Sequence, residues 1–322
     1  MKLCKNFVMT LFCCLLMSLL VGCGKENISK QNSPLNVGGY SITDVTGTKL
    51  TFAEKPKRIV SMSVGVDEIL LDMLPPTRIM AVTYLADDAT ISSVSTKAKA
   101  VKGRVKGSST EEIMAMQPDL VIMPDWAGLN TVKTLRDMGI TVYVYKTPVS
   151  LKEIQDSINN IAYLVGEKET GMKIVEKMQV QLDKTKSIVD KVPANKRQCI
   201  VALSQMGAFG AKGTTFDDLC KHANIINGVA LTGINKNESL SKEQIVAINP
   251  DVLLLPSWEA TGKVELSTYV DEIKNDPAYI NISAVRNNRL IHVHDNYLYS
   301  ISQYAANAVD ELARGVYPEL YK

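Results

Sequence analysis

The chain alternates between two hydrophobic patterns. Short, strand-like runs rich in apolar residues recur at residues 58–61, 79–82, 120–123 and 141–144, and again at 199–203, 252–255 and 290–293. Runs of four or five residues without alternation read as strands buried on both faces, the habit of parallel sheets. Helix-like stretches such as 67–74 and 132–138 separate them. Strands and helices in alternation predict an α/β fold with mainly parallel sheets and helices on both faces. Between the two groups, Val175, Met178, Leu182, Val189 and Val192 fall at three-, four- and seven-residue intervals and form one apolar stripe. Residues 167–192 contain no proline and a single glycine, Gly171, and Pro193 follows. As one helix this stretch would run about 39 Å at 1.5 Å per residue. The pattern therefore predicts two Rossmann-like lobes, residues 39–166 and 193–322, joined by a stiff helix over 167–192, with a cleft that opens and closes modestly.

The two groups repeat one another. Ser109, Glu111, Ile113, Ala115, Pro118, Asp119, Pro124 and Trp126 recur 132 positions later as Ser241, Glu243, Ile245, Ala247, Pro250, Asp251, Pro256 and Trp258. Each copy reads as a serine N-cap with a glutamate in the first helical turn. The short helix stops at Pro-Asp, a fully buried strand follows, and Pro-x-Trp ends that strand.

The amino terminus has a different character. Lys2 and Lys5 precede an apolar run over residues 7–21, too short for a membrane-spanning helix of about 20 residues. It reads as a signal peptide over residues 1–22. The run ends in Leu20-Val21-Gly22-Cys23, which resembles the bacterial lipobox, and this implies acylation of Cys23. One acyl chain holds only marginally and two or more hold firmly, so an extracytoplasmic protein anchored to the cell membrane is expected, with residues 23–38 as a polar tether. Without residues 1–22, 34 Lys+Arg face 34 Asp+Glu. No basic excess marks a nucleic-acid binder. Beyond Cys23 only Cys199 and Cys220 remain, in strand-like and helix-like surroundings; an exported protein could pair them, two buried thiols are the expectation, and their spacing is not that of a metal site.

Together the lipobox, the opening Pro56-Lys57-Arg58-Ile59-Val60-Ser61-Met62-Ser63 with Asp67-Glu68-Ile69-Leu70, the doubled Glu…Pro-Asp unit and the long central helix resemble the class III substrate-binding proteins. That family serves ABC importers for ferric siderophores, haem and cobalamin. The resemblance covers residues 40–322. It implies two α/β lobes bridged by one helix, a monomer that carries no cofactor and does no covalent chemistry, and a ligand held between the lobes. It also implies one docking glutamate per lobe for a permease dimer and its ATPase. By position in the repeat these are Glu111 and Glu243.

In open α/β sheets ligands bind beyond the carboxyl ends of the strands. That rule nominates Met62, Ser63, Tyr84 and Trp126 in the first lobe, and Met206, Trp258, His294, Tyr297 and Tyr299 in the second. The two tryptophans, at equivalent places in the repeat, could stack on a flat ligand. His292 and His294 fall on one face of the last strand and are weak candidates for a metal. Arginine is scarce near the nominated positions, apart from Arg104 in a loop near the first lobe's cleft; Lys146 is the nearby lysine. This favours a near-neutral chelate over a strongly anionic one. The expected function is capture of an iron chelate for an importer, with cobalamin or haem as alternatives. A zinc or manganese receptor is the remaining rival, for which three histidines leave little room. No nucleotide loop, nucleophile elbow or zinc-protease motif suggests an enzyme.

Overall fold

The computed structural model describes residues 39–107, 109–204, 207–235, 238–256 and 266–322; the expected signal peptide, Cys23 and the tether, with Met206 and Trp258, lie outside the described residues. An antiparallel hairpin of β1 (Tyr40–Thr43) and β2 (Lys49–Phe52) leads into the first sheet. That sheet holds β3 (Ile59–Ser61), β4 (Ile79–Thr83), β5 (Gly103–Val105), β6 (Leu120–Pro124) and β7 (Val142–Tyr145), all parallel, in the order β5-β4-β3-β6-β7. Helices α1 (Val64–Met73), α2 (Ser95–Ala98), α3 (Thr110–Ala115), α4 (Leu129–Asp137) and α5 (Leu151–Leu164) accompany it.

Helix α6 (Lys168–Val189) comes next, and beyond it the plan repeats. Strands β8 (Cys199–Ser204), β10 (Ile226–Asn227), β11 (Val252–Leu255) and β12 (Leu290–His292) form a parallel path in the order β10-β8-β11-β12, and β9 (Gly207–Phe209) pairs antiparallel with β8. With them run α7 (Thr215–His222), α8 (Lys242–Ile248), α9 (Leu266–Asn275), α10 (Ser283–Arg286), α11 (Asp295–Leu298) and α12 (Ala305–Val316). The mixed α/β class with parallel sheets is as the hydrophobic pattern predicts.

The Pro-Asp of each repeat acquires a structural meaning. Asp119 accepts hydrogen bonds from the amides of Lys57 (2.7 Å) and Arg58 (2.9 Å), at the start of β3. Its counterpart Asp251 accepts from the amide of Cys199 (2.8 Å), at the start of β8. Two residues earlier, Gln117 (φ 49°) and Asn249 (φ 47°) both take the left-handed conformation that ends a helix. The duplicated unit is thus a helix stop joined to a clamp on the neighbouring strand.

Helix α6 buries Met178, Leu182 and Val189 of the expected stripe, together with Gly171 and Thr185. It packs against α5 and α12. Its regular part spans 22 residues, about 33 Å, shorter than the 26 expected. The side-chain amide of Asn224 takes the carbonyls of Val189 (2.8 Å) and Val192 (3.1 Å), so the last turn opens before Pro193. One hydrophobic cluster runs from α1, β3 and β6 through α5 and α6 to α7 and α12, and two further clusters cover the other sheet faces. Cys199 and Cys220 are both free thiols, the second fully buried, and burial pushes Cys199 up to about 11.

Candidate functional site: a cleft wall at the strand ends

Four of the five first-sheet strands end around one concavity of about 350 Å³, lined by Met62, Tyr84, Leu85, Val105, Lys106 and Trp126 among others. Each comes from a residue just at or beyond a strand end, as the geometry of open α/β sheets requires. Trp126 is 69 % exposed and Tyr84 48 % exposed. The indole is presented by a tight turn: the amide of Ala127 donates to the carbonyl of Pro124 (3.0 Å), and the amide of Asp125 to that of Tyr145 (3.0 Å). The Asp125 carboxylate is held in turn by the hydroxyl of Thr147 (2.7 Å). Tyr84 opens a 3-10 turn, Tyr84–Asp87, anchored at its far end by Arg104.

That anchor settles the place of the nearby cations. Arg104 lies in strand β5 rather than in a loop. It makes a two-pronged bond to Asp87, 2.7 Å on each prong, and gives its remaining donors to the carbonyls of Ala98, Val101 and Gly103. Lys146 pairs with Glu153 at 2.7 Å. Among the described residues, Lys106 is therefore the cation left to face a ligand in this concavity. Its wall is otherwise aromatic, aliphatic or neutral.

Ser63 sits below the wall rather than in it. It is 9 % exposed, caps α1 through the amide of Val66 (3.4 Å), and shares a 2.8 Å hydrogen bond with the hydroxyl of Tyr145. Beside it Asp67 is completely buried and takes both the amide (3.1 Å) and the hydroxyl (2.5 Å) of Thr83, itself a lining residue. Burial pushes the Asp67 carboxyl up to about 7, against the opposing pull of these hydrogen bonds.

The second half contributes differently from the sequence expectation. Strand β12 ends at His292, and His294 is the N-cap of α11, so the two histidines do not share a strand face. His292 Nδ1 lies 3.1 Å from the carbonyl oxygen of Pro256, and His294 Nδ1 lies 2.8 Å from Glu311. Each ring is tied by one nitrogen to a different neighbour. Among the described residues no group of three His, Cys, Asp or Glu side chains is placed to hold a metal ion. Tyr297 packs edge-on against His294, ring centres 5.8 Å apart, while Tyr299 is 54 % exposed beside Phe209. Val105 and Lys106 were not foreseeable as lining residues, because β5 is three residues long and carries no apolar run, whereas Leu85 lies one position beyond the nominated Tyr84.

Glu111 and Glu243 occupy equivalent first-turn positions on α3 and α8, and both are exposed. Backbone amides and the capping serines, Ser109 and Ser241, hold both carboxyls below the usual range, so each is an anion at neutral pH. A larger depression of about 460 Å³, lined by Lys191, Lys196 and Arg289, lies at the amino ends of the second sheet, the end where such sheets do not bind ligands.

This architecture is shared. A Bacillus subtilis (strain 168) ABC transporter substrate-binding lipoprotein, YvrC, is 24 % identical over 314 residues, covering 94 % of this chain and 95 % of the relative. The Fe(3+)-citrate-binding protein YfmC of the same organism is 23 % identical over 300 residues, 90 % and 88 % of the two chains. The apo structure of the periplasmic heme-binding protein RhuT from Roseiflexus sp. RS-1 superposes with a TM-score of 0.70 at 23 % identity, covering 82 % and 99 %. Since the family profile described as periplasmic binding protein matches residues 59–297, most of the chain, this protein belongs to the periplasmic binding protein family, the class III substrate-binding proteins of ABC transporters.

Proposed function

We propose that the chain is the lipid-anchored receptor of an ABC importer and that its ligand is a bulky iron chelate of low net charge, of the hydroxamate type. The observation that carries this reading is the wall around Trp126 and Tyr84: aromatic, apolar and faced, among the described residues, by one cation outside an ion pair, Lys106. A multiply charged chelate such as ferric citrate would call for several cationic donors, and Arg104 and Lys146 are committed to Asp87 and Glu153. A second reading, a corrinoid, is favoured by the exposed indole of Trp126, which offers a face to a flat conjugated ring. Anchoring through Cys23 follows from the lipobox, and the exposed pair Glu111 and Glu243 supports docking on a twofold permease.

Titration of the full chain in detergent, followed by tryptophan fluorescence, tests the ligand class. Ferric desferrioxamine, cyanocobalamin, haemin and ferric citrate serve as probes. Binding of the first or second at micromolar affinity or tighter, weakened roughly tenfold or more by Trp126→Ala, is the expected result. Tighter binding of ferric citrate than of either would sink the low-charge reading.

A further inference from the structure

One residue of the α1 motif has no part in the cleft as described: Glu68. Glu68 is 1 % exposed, an uncommon place for a carboxylate. Its Oε2 accepts the hydroxyls of Ser300 (2.9 Å) and Ser302 (2.6 Å), and its Oε1 accepts the amide of Ser93 (2.8 Å). Its main-chain carbonyl accepts the side-chain amide of Gln303 at 3.1 Å. One turn later Asp72 takes the same Gln303 amide (2.8 Å), the hydroxyl of Tyr304 (2.9 Å) and the ammonium of Lys97. One turn earlier Gly65 meets Ile301; a Cβ there would stand 2.4 Å from Ile301 Cγ1.

Positions 65, 68 and 72 share a helix face. That face belongs to the first half of the chain, and what it receives, Ser300 to Tyr304, belongs to the second. A buried carboxylate is costly unless donors surround it, and here two of the three donors come from across the junction. Burial raises the Glu68 carboxyl while the serines and the Ser93 amide hold it down. Close to this joint, the lining residue Met62 stands on the approach to α1, and Tyr299, exposed and nominated from the sequence for the second half, directly precedes Ser300.

We propose that Glu68 is a positioning residue, a latch between the two halves that fixes the spacing of the cleft walls. The halves also meet beside α6, where the amide of Leu151 on α5 donates to Asp218 on α7 (2.8 Å). The Glu68 joint is a further attachment, on α1 rather than on α5 or α6, and attachments on separate elements set an angle. The effect on ligand affinity rests on the receptor reading above; the spacing itself does not.

The test uses the full chain in detergent, spin-labelled at Lys133→Cys on α4 and Lys274→Cys on α9, both exposed sites, with the distance distribution read by pulsed dipolar spectroscopy. A narrow distribution is expected for the parent. A broader one is expected for Ser300→Ala/Ser302→Ala, which empties the latch from the far side, and for Glu68→Leu, which removes both acceptor oxygens at similar size. Cooperative melting should persist in both. Affinity for ferric desferrioxamine or cyanocobalamin should fall roughly tenfold if the competent spacing drops to a tenth of the population. An unchanged distribution in both variants overturns the latch. Broadening that appears only with loss of cooperative melting overturns it too, since Glu68 would then be a core residue without a positioning role. If the parent takes none of the probe chelates, the ligand reading falls, and the distance measurement still decides the latch.

Discussion

Asp67 and Glu68 are adjacent carboxylates on α1, yet both are buried and each serves a different neighbour. Asp67 has a pH signature. Its folded carboxyl titrates near 7 and an ordinary one near 3.8, so between those values the folded chain keeps a proton that the unfolded chain has released. Stability linked to that proton is fully present below pH 4 and is lost as pH rises through 7. Asp67→Asn keeps an acceptor for Thr83 and cannot ionise. Thermal melts from pH 4 to pH 8 should show the variant gaining on the parent as pH rises, by a few kcal/mol across the window. A constant gap would show that Asp67 does not titrate there. Glu68, Tyr145 and Arg104, the charged or titratable groups that share its electrostatic field, are the same in both proteins.

Among the elements, α6 depends on close approach. A Cβ on Gly171 would lie 2.2 Å from the Cβ of Ala162 on α5, and neither side chain has a rotamer to move. Gly171→Ala gains about 1 kcal/mol of helix propensity but forces the helices apart at about 1–3 kcal/mol. A lower melting temperature is expected, and a rise would mean that the crossing is looser than its geometry indicates. The central strands, α1 and α6 are legible in the sequence because burial on both faces, or on one stripe, leaves a period to read. Helix α5 is legible in principle, with Leu151, Ile154, Ile158 and Ile161 buried at helical spacing. Strand β5 is not: three residues, one of them Arg104, are set by their neighbours rather than by their own pattern. The first-half wall of the cleft follows the strand-end rule at Met62, Tyr84 and Trp126, whereas Ser63 turns inward because it caps α1. His294 escapes the strand period because β12 stops two residues before it. The Glu68 latch leaves no local trace, since its partners lie 232 and 234 residues away.

At the scale of the whole molecule the repeat bears on the proposed docking to a permease. Glu111 and Glu243 are exposed anions at matching places on two similar halves, the arrangement that a twofold permease would read as one site used twice. Glu111→Ala with Glu243→Ala should abolish ligand uptake in transport assays while leaving affinity for the chelate unchanged. Intact uptake would remove these residues from docking. Each glutamate also supports its helix dipole, worth about 0.3–1 kcal/mol, so a small loss of stability in the double variant is expected and carries no information on docking. The latch bears on kinetics as well. Joining residues more than 230 positions apart closes a very long loop, and contacts of such high sequence separation form slowly. The first sheet, built from pairings within residues 59–145, can assemble without the second. In refolding followed by pulsed hydrogen exchange, amides of both sheets should gain protection before the Gly65–Glu68–Asp72 face of α1 is covered by Ser300 to Tyr304, and protection of the Ser302 amide should come last.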